Sequence, residues 1–168
     1  MSSRSDPAIL VVMGVSGSGK STIAPILAAR LGWVCRDGDE FHPPANVEKM
    51  HSGHPLTDED RWPWLQALHD ALARALAEGR GAVLACSALK ESYREALSDR
   101  LAGVRFVLLD GDRALLQARL ANRPGHFMNP ALLDSQIETL ERPADAFLVD
   151  IAEPVDAQVA EIRGAFGI

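Results

Sequence analysis

Eight consecutive residues restrict the fold of this chain more than any others: Gly14-Val-Ser-Gly-Ser-Gly-Lys20-Ser21. They match G-x-x-x-x-G-K-[ST] in full. The run before them, Ala8-Ile-Leu-Val-Val-Met13, is continuously apolar and rich in β-branched residues, as in a strand buried on both faces. After them, Thr22 to Leu31 has helical spacing and stops at Gly32. That context separates a phosphate cradle from an unliganded glycine-rich turn. Glycines let the backbone curl so that successive N–H groups point inward, and the helix N-terminus adds positive potential. Lys20 is the point charge for the β- and γ-phosphates, and the Ser21 hydroxyl is a Mg²⁺ ligand. The nucleotide-binding candidates are Gly14, Ser16, Gly17, Ser18, Gly19, Lys20, Ser21 and Thr22, with ATP and Mg²⁺ as the cofactors.

Strand and helix patterns then alternate to the end. Trp33 to Arg36 reads as a second strand, followed by the polar turn Asp37-Gly-Asp39. A short helix is expected from Asn46 to Ser52, closed by Gly53. Thr57-Asp-Glu-Asp60 resembles a capping box, opening a helix that runs to about Glu78. Strands are expected at 82–86, 105–109 and 147–150, and helices at 91–101, 113–121, 130–141 and 155–166. Arg123 to Pro130 breaks the pattern. Alternation of this kind predicts an α/β fold, a mostly parallel sheet with helices on both faces. With 168 residues, one domain is expected.

Composition narrows the function. The net charge of −6 lacks the basic surplus of a nucleic-acid binder. No apolar run approaches the roughly 20 residues of a membrane helix, and the N-terminal MSSRSDP has no apolar signal region. Cys35 and Cys86 sit among apolar residues without metal-ligand spacing and read as buried, reduced thiols. A cytoplasmic protein is expected, with neither nucleic acid nor membrane as a partner.

Two sets of carboxylates compete for the Mg²⁺ beside such a loop. Asp110, ending the apolar run Phe106-Val-Leu-Leu, is where a switch GTPase or motor ATPase would carry one, although no N-K-x-D motif follows. Asp37 and Asp39 follow the second strand, and ligands of open α/β sheets bind beyond the strands' carboxyl ends. One of that pair suits Mg²⁺ through water, and the other suits the proton of an attacking hydroxyl.

The chain resembles the gluconokinases, small P-loop kinases of the shikimate- and adenylate-kinase group. The resemblance runs through Gly14–Thr22, Asp37-Gly-Asp-Glu-Phe-His-Pro43, Asn46-Val-Glu-Lys-Met50, Asp58-Glu-Asp-Arg61, Pro63-Trp-Leu65, Cys86-Ser-Ala-Leu-Lys90, Tyr93-Arg94, Gly125-His-Phe127 and Ser135-Gln136. It implies a three-layer P-loop NTPase fold with a five-stranded sheet in the order 2-3-1-4-5 and a lid at about 123–130. It also implies ATP-dependent phosphorylation of D-gluconate at its 6-hydroxyl, and a homodimer.

By the same resemblance Asp39 receives or orients the hydroxyl proton, Asp37 joins Ser21 at the metal, and Lys20 with Arg123 holds the transferring charge. Arg119 covers the adenine. For a polyhydroxy carboxylate the candidates are Asp39, His42, Lys49, Arg61, Lys90, Arg94, His126 and Gln136. Arg94 ranks ahead of Arg61 as the carboxylate's partner, both being able to pair bidentately. Trp64 is expected to pack the core. The chain departs from the family's lid at Pro124, where a basic or polar residue is expected.

Overall fold

The apolar run after Pro7 forms β1 (Ile9–Met13), the centre of the sheet, and all five of its side chains are fully buried. The computed structural model describes residues 8–122 and 130–168. The remaining elements are α1 (Lys20–Leu31), β2 (Val34–Asp37), a 3₁₀ turn (Gly38–Phe41), α2 (Pro44–His51), α3 (Asp58–Ala77) and β3 (Ala82–Ala85). They continue with α4 (Glu91–Ser98), β4 (Val104–Asp110), α5 (Arg113–Ala121), α6 (Pro130–Thr139), β5 (Phe147–Asp150) and α7 (Val155–Phe166).

The sheet is parallel in every pairing, with the order β2-β3-β1-β4-β5, as the resemblance implied. Side chains of a strand alternate between faces. Leu10 and Val12 enter one core with Ile23, Leu27, Val159 and Ile162 of α1 and α7. Ile9, Val11 and Met13 enter the opposite core with Leu65, Leu68 and Leu72 of α3 and Leu97 of α4. A strand covered on both faces has no place for a polar residue, which is why its sequence is unbroken.

Several boundaries differ from the sequence reading. Asp37 is the last residue of β2, in register with Ala85, rather than the first of the turn. Its side chain then caps the 3₁₀ turn, Oδ1 accepting the Asp39 N–H at 3.0 Å. α2 begins two residues early because Pro44 fits the first helical turn, where no N–H is needed. α4 stops at Ser98, and Arg100 adopts a left-handed φ of 56° beyond it. The Thr57 capping box is present in both halves: Thr57 Oγ1 accepts from Asp60 N and Asp60 Oδ2 accepts from Thr57 N.

Candidate active site

The phosphate loop joins β1 to α1 and is shaped by its glycines. Gly19, the residue before α1, holds a left-handed φ of 100° and supplies no side-chain cap. The first-turn amides of α1 are thereby left facing the loop, where an anion suits them. Lys20 Nζ donates to the carbonyls of Gly14 at 2.9 Å and Val15 at 3.0 Å, so its ammonium lies along the loop. Ser21 is exposed on the first turn of α1.

Two strands away, the Asp-Gly-Asp turn stands at the same edge of the sheet. Val12, Ala85 and Asp37 are in register across β1, β3 and β2. Space for a side chain at Gly38 is tight: a Cβ would stand 3.0 Å from the Ala85 carbonyl and 3.3 Å from the Cys86 Cβ. The Trp64 indole N–H fixes the turn from α3, donating to Gly38 O at 2.7 Å. Cys86 lies buried between the turn and the loop. Burial pushes its thiol up to about 12, and it feels the charges of Lys20, Asp39 and Asp37 together. The register of Val12, Ala85 and Asp37 thus sets the turn and the phosphate loop at one edge of the sheet. The thiol itself stays protonated and inert, as expected from its apolar surroundings.

A polar wall extends from Asp39 toward α2 and α3. His42 stacks on Trp64, with ring centroids 4.4 Å apart and planes 14° apart. Its pKa lies below the ordinary histidine value because burial outweighs the Asp39 carboxylate, with the Arg61 charge adding to the depression. His42, Asp39 and Arg61 are thus electrostatic neighbours, and the imidazole is neutral at pH 7. Asn46, 5% exposed, donates to Asp60 O at 2.9 Å and lies 3.4 Å from His42 Nδ1.

The cations divide sharply. Lys49 pairs with Asp60, whose carboxyl is held down at about 2 by the ammonium and by the Thr57 N–H. Lys90 Nζ binds both oxygens of Asp58, at 3.0 and 3.2 Å, and the Tyr93 hydroxyl donates to the same carboxylate. Arg61 has its Cζ 5.3 Å from the Tyr93 ring centroid and one long bond, 3.4 Å, to Leu56 O. Its Nε is buried with no hydrogen-bond partner. A guanidinium so placed has donors left for a ligand.

Arg94, ranked first for the substrate carboxylate, lies between the turn after β3 and the segment after α6. It is 6% exposed, and its guanidinium donates to Ala88 O at 2.7 Å, Leu89 O at 3.2 Å and Glu141 O at 2.7 Å. Those bonds pin the segment after α6 to the turn after β3. A buried cation is tolerated when carbonyls satisfy it, and three carbonyls accept from this one. Arg94→Leu is expected to cost about 2–4 kcal/mol of stability, because three carbonyls lose their donor in a buried setting. Thermal unfolding measures the loss, and the folded fraction should keep a nearly parental KM for its acceptor substrate.

Gln136 meets the phosphate loop. Its Oε1 accepts the Ser16 N–H of the phosphate loop at 2.7 Å. Arg119 donates to Ile151 O, bridging α5 to the loop after β5. Asp110 is held by Arg142 in a two-pronged pair at 2.7 and 3.1 Å. Its carboxylate is therefore occupied by a cation, whereas Asp37 accepts the Asp39 backbone N–H. Arg123, Pro124 and His126, with the expected lid, lie outside the described residues. The sequence reading did not single out Asp58, Asp60 and Tyr93 as partners. Their signal was the run of acids at the α3 N-terminus facing Lys49 and Lys90, but which acid meets which lysine is set by the fold.

A family described as an AAA domain matches residues 9–143, from the first strand to beyond α6. A shikimate kinase from Bacteroides thetaiotaomicron superposes with a TM-score of 0.70 at 17% identity, over 96% of this chain and 99% of that one, and shows the shared fold. Fold, loop and family together define the class: this is a P-loop kinase. A gluconokinase from Gluconobacter oxydans is 56% identical over 139 residues, 83% of this chain and 78% of its own length. The thermoresistant gluconokinase of Escherichia coli is 44% identical over 92% of this chain and 91% of its own. A gluconokinase crystal structure from Sinorhizobium meliloti gives a TM-score of 0.84 at 43% identity, covering 96% and 93% of the two chains. The chain belongs to the gluconokinase family.

Proposed function

We propose that the enzyme transfers the γ-phosphate of ATP to the 6-hydroxyl of D-gluconate, giving 6-phospho-D-gluconate and ADP. The observation that carries the reading is the register of Val12, Ala85 and Asp37, which sets the Asp-Gly-Asp turn at the same sheet edge as the phosphate loop, with His42 and Asn46 beside it.

The residues suit Mg²⁺ as the companion of ATP. Ser21 and Asp37 are hard oxygen donors, and this ion commonly takes few protein ligands and fills its shell with phosphates and water. When bound it neutralises charge on the β- and γ-oxygens. The chain supplies the rest. The loop amides and Lys20 hold the phosphates, and Asp39 accepts or orients the proton of the attacking hydroxyl. Neutral His42, Asn46 and the rim of α2 and α3 offer donors and acceptors to the sugar hydroxyls. Arg119, against the loop after β5, covers the adenine, and Arg123 adds charge at the transferring group. Lys49, Lys90 and His126 complete the acceptor side.

Arg61 is the residue we assign to the substrate carboxylate, in place of Arg94. Arg61→Ala should raise the gluconate KM about tenfold or more, since a charge-assisted pair contributes roughly 1.5–3 kcal/mol, while the ATP KM stays within about twofold. Steady-state kinetics with each substrate varied separately reads the split. Equal changes in both KM values, or none, would remove Arg61 from the carboxylate site.

Among the described residues no helix is long and apolar enough to cross a membrane. With the acidic charge balance, that supports a cytoplasmic enzyme. The homodimer rests on the family resemblance, and light scattering at assay concentration tests it.

A further inference from the structure

We propose that Gln136 is a positioning residue for the nucleotide: from α6, its carboxamide oxygen holds the phosphate loop in the shape that receives ATP. The assignment rests on the nucleotide site proposed above and replaces a contact between Gln136 and the sugar acid.

The loop has reason to need such a hold. Gly14, Gly17 and Gly19 carry φ values of 147°, 82° and 100°, so half of the six residues between β1 and α1 lack the restraint of a side chain. Ordering glycines costs more backbone entropy than ordering any other residue. Other bonds fix other parts of it. Gly14 N reaches Ser87 O at 3.4 Å, Ser18 N reaches Val15 O at 3.2 Å, and Lys20 Nζ takes the carbonyls of Gly14 and Val15. The Ser16 N–H is held from elsewhere, by a side chain 120 residues away in sequence, and at 2.7 Å the bond is short for an amide donor.

The hold is only as good as its anchor, and α6 is anchored on several sides. Leu133 is buried in the core shared with α1 and α7. Asp134 pairs with Arg113 of α5, Nη2 to Oδ2 at 3.0 Å. Beyond the helix, Glu141 N donates to Leu89 O at 2.8 Å while Arg94 holds Glu141 O. Arg142 grips Asp110 at the end of β4. Gln136 sits between these fixed points and passes their rigidity to the loop. Preorganisation of this kind improves affinity by removing an ordering cost from the binding step.

The test uses Gln136→Leu, which keeps much of the bulk but cannot accept a hydrogen bond, and Gln136→Glu, which keeps an acceptor oxygen. Binding of a non-hydrolysable ATP analogue with Mg²⁺ is measured by calorimetry without gluconate. Hydrogen exchange at the Ser16 amide is measured in the nucleotide-free protein. Gln136→Leu should weaken the analogue about tenfold, leave the gluconate KM within about twofold, and speed exchange at Ser16. Gln136→Glu should keep that amide slow, whatever its added charge does to affinity. A parental analogue affinity in the Leu variant, with a raised gluconate KM, would overturn the proposal in favour of a substrate contact. Slow exchange at Ser16 in the Leu variant, or fast exchange in the Glu variant, would overturn it equally. If the parent protein failed to bind the analogue, the nucleotide reading itself would fall. Binding by the parent with no loss in the Leu variant rejects the role of Gln136 alone.

Discussion

Lys20→Ala should lower kcat by about three orders of magnitude or more while leaving the fold intact. The ammonium is set along the loop by the carbonyls of Gly14 and Val15, beside the amides at the start of α1. Phosphoryl transfer has a loose transition state in which positioned charge does most of the catalysis, and removing one preorganised donor commonly costs about 10²–10³-fold. A full positive charge on the transferring group belongs at or above the upper end of that range. The fold is insulated because both hydrophobic cores are built without Lys20. Circular dichroism and thermal unfolding establish that the variant is folded. A folded variant with close to parental kcat would remove Lys20 from the chemistry.

Asp39→Asn and Asp110→Asn should separate widely. Asp39 lies in the turn after Asp37, at the phosphate-loop edge of the sheet, and its charge is felt at His42 on the acceptor side. Loss of a positioned proton acceptor typically costs about 10²–10⁴-fold in rate. Asp110 is engaged by Arg142, and that half-exposed pair should contribute no more than about 1 kcal/mol. Asp110→Asn should therefore change stability slightly and leave kcat within a few-fold. Kinetics of both variants at saturating Mg²⁺ decide the matter. The inverse order would place the metal at Asp110, as in a switch or motor ATPase.

What could be read from the sequence was what neighbouring residues decide among themselves. The phosphate loop is a local pattern between a buried strand and a helix, and β1 and α1 stand where that pattern requires. The Thr57 capping box needs only residues three apart, and both its bonds are present. Trp64 was expected to pack the core. It does so at 3% exposure, while its N–H holds the Asp-Gly-Asp turn and its face carries His42. Residue type could not say which partner a cation would meet across the fold. Arg94 and Arg61 both suit a carboxylate, yet the approach of the Glu141 carbonyl, 47 positions away, joins those of Ala88 and Leu89 to make Arg94 a structural bolt. Lys90 finds Asp58 across 32 positions, and Gln136 finds the phosphate loop across 120. Such contacts follow from the crossovers of the sheet, which bring distant segments to one edge.

The most direct test of the account is ADP formation by the purified protein with ATP and Mg²⁺, one acceptor at a time. D-gluconate should accelerate it strongly over the rate without acceptor, whereas shikimate and AMP should leave that rate unchanged. A site whose buried polar groups are matched to a ligand's hydroxyls discriminates against molecules that leave those groups unpaired. The product should carry its phosphate on the 6-oxygen. ADP release at a rate that no acceptor raises, or faster release with AMP or shikimate than with gluconate, would contradict the account.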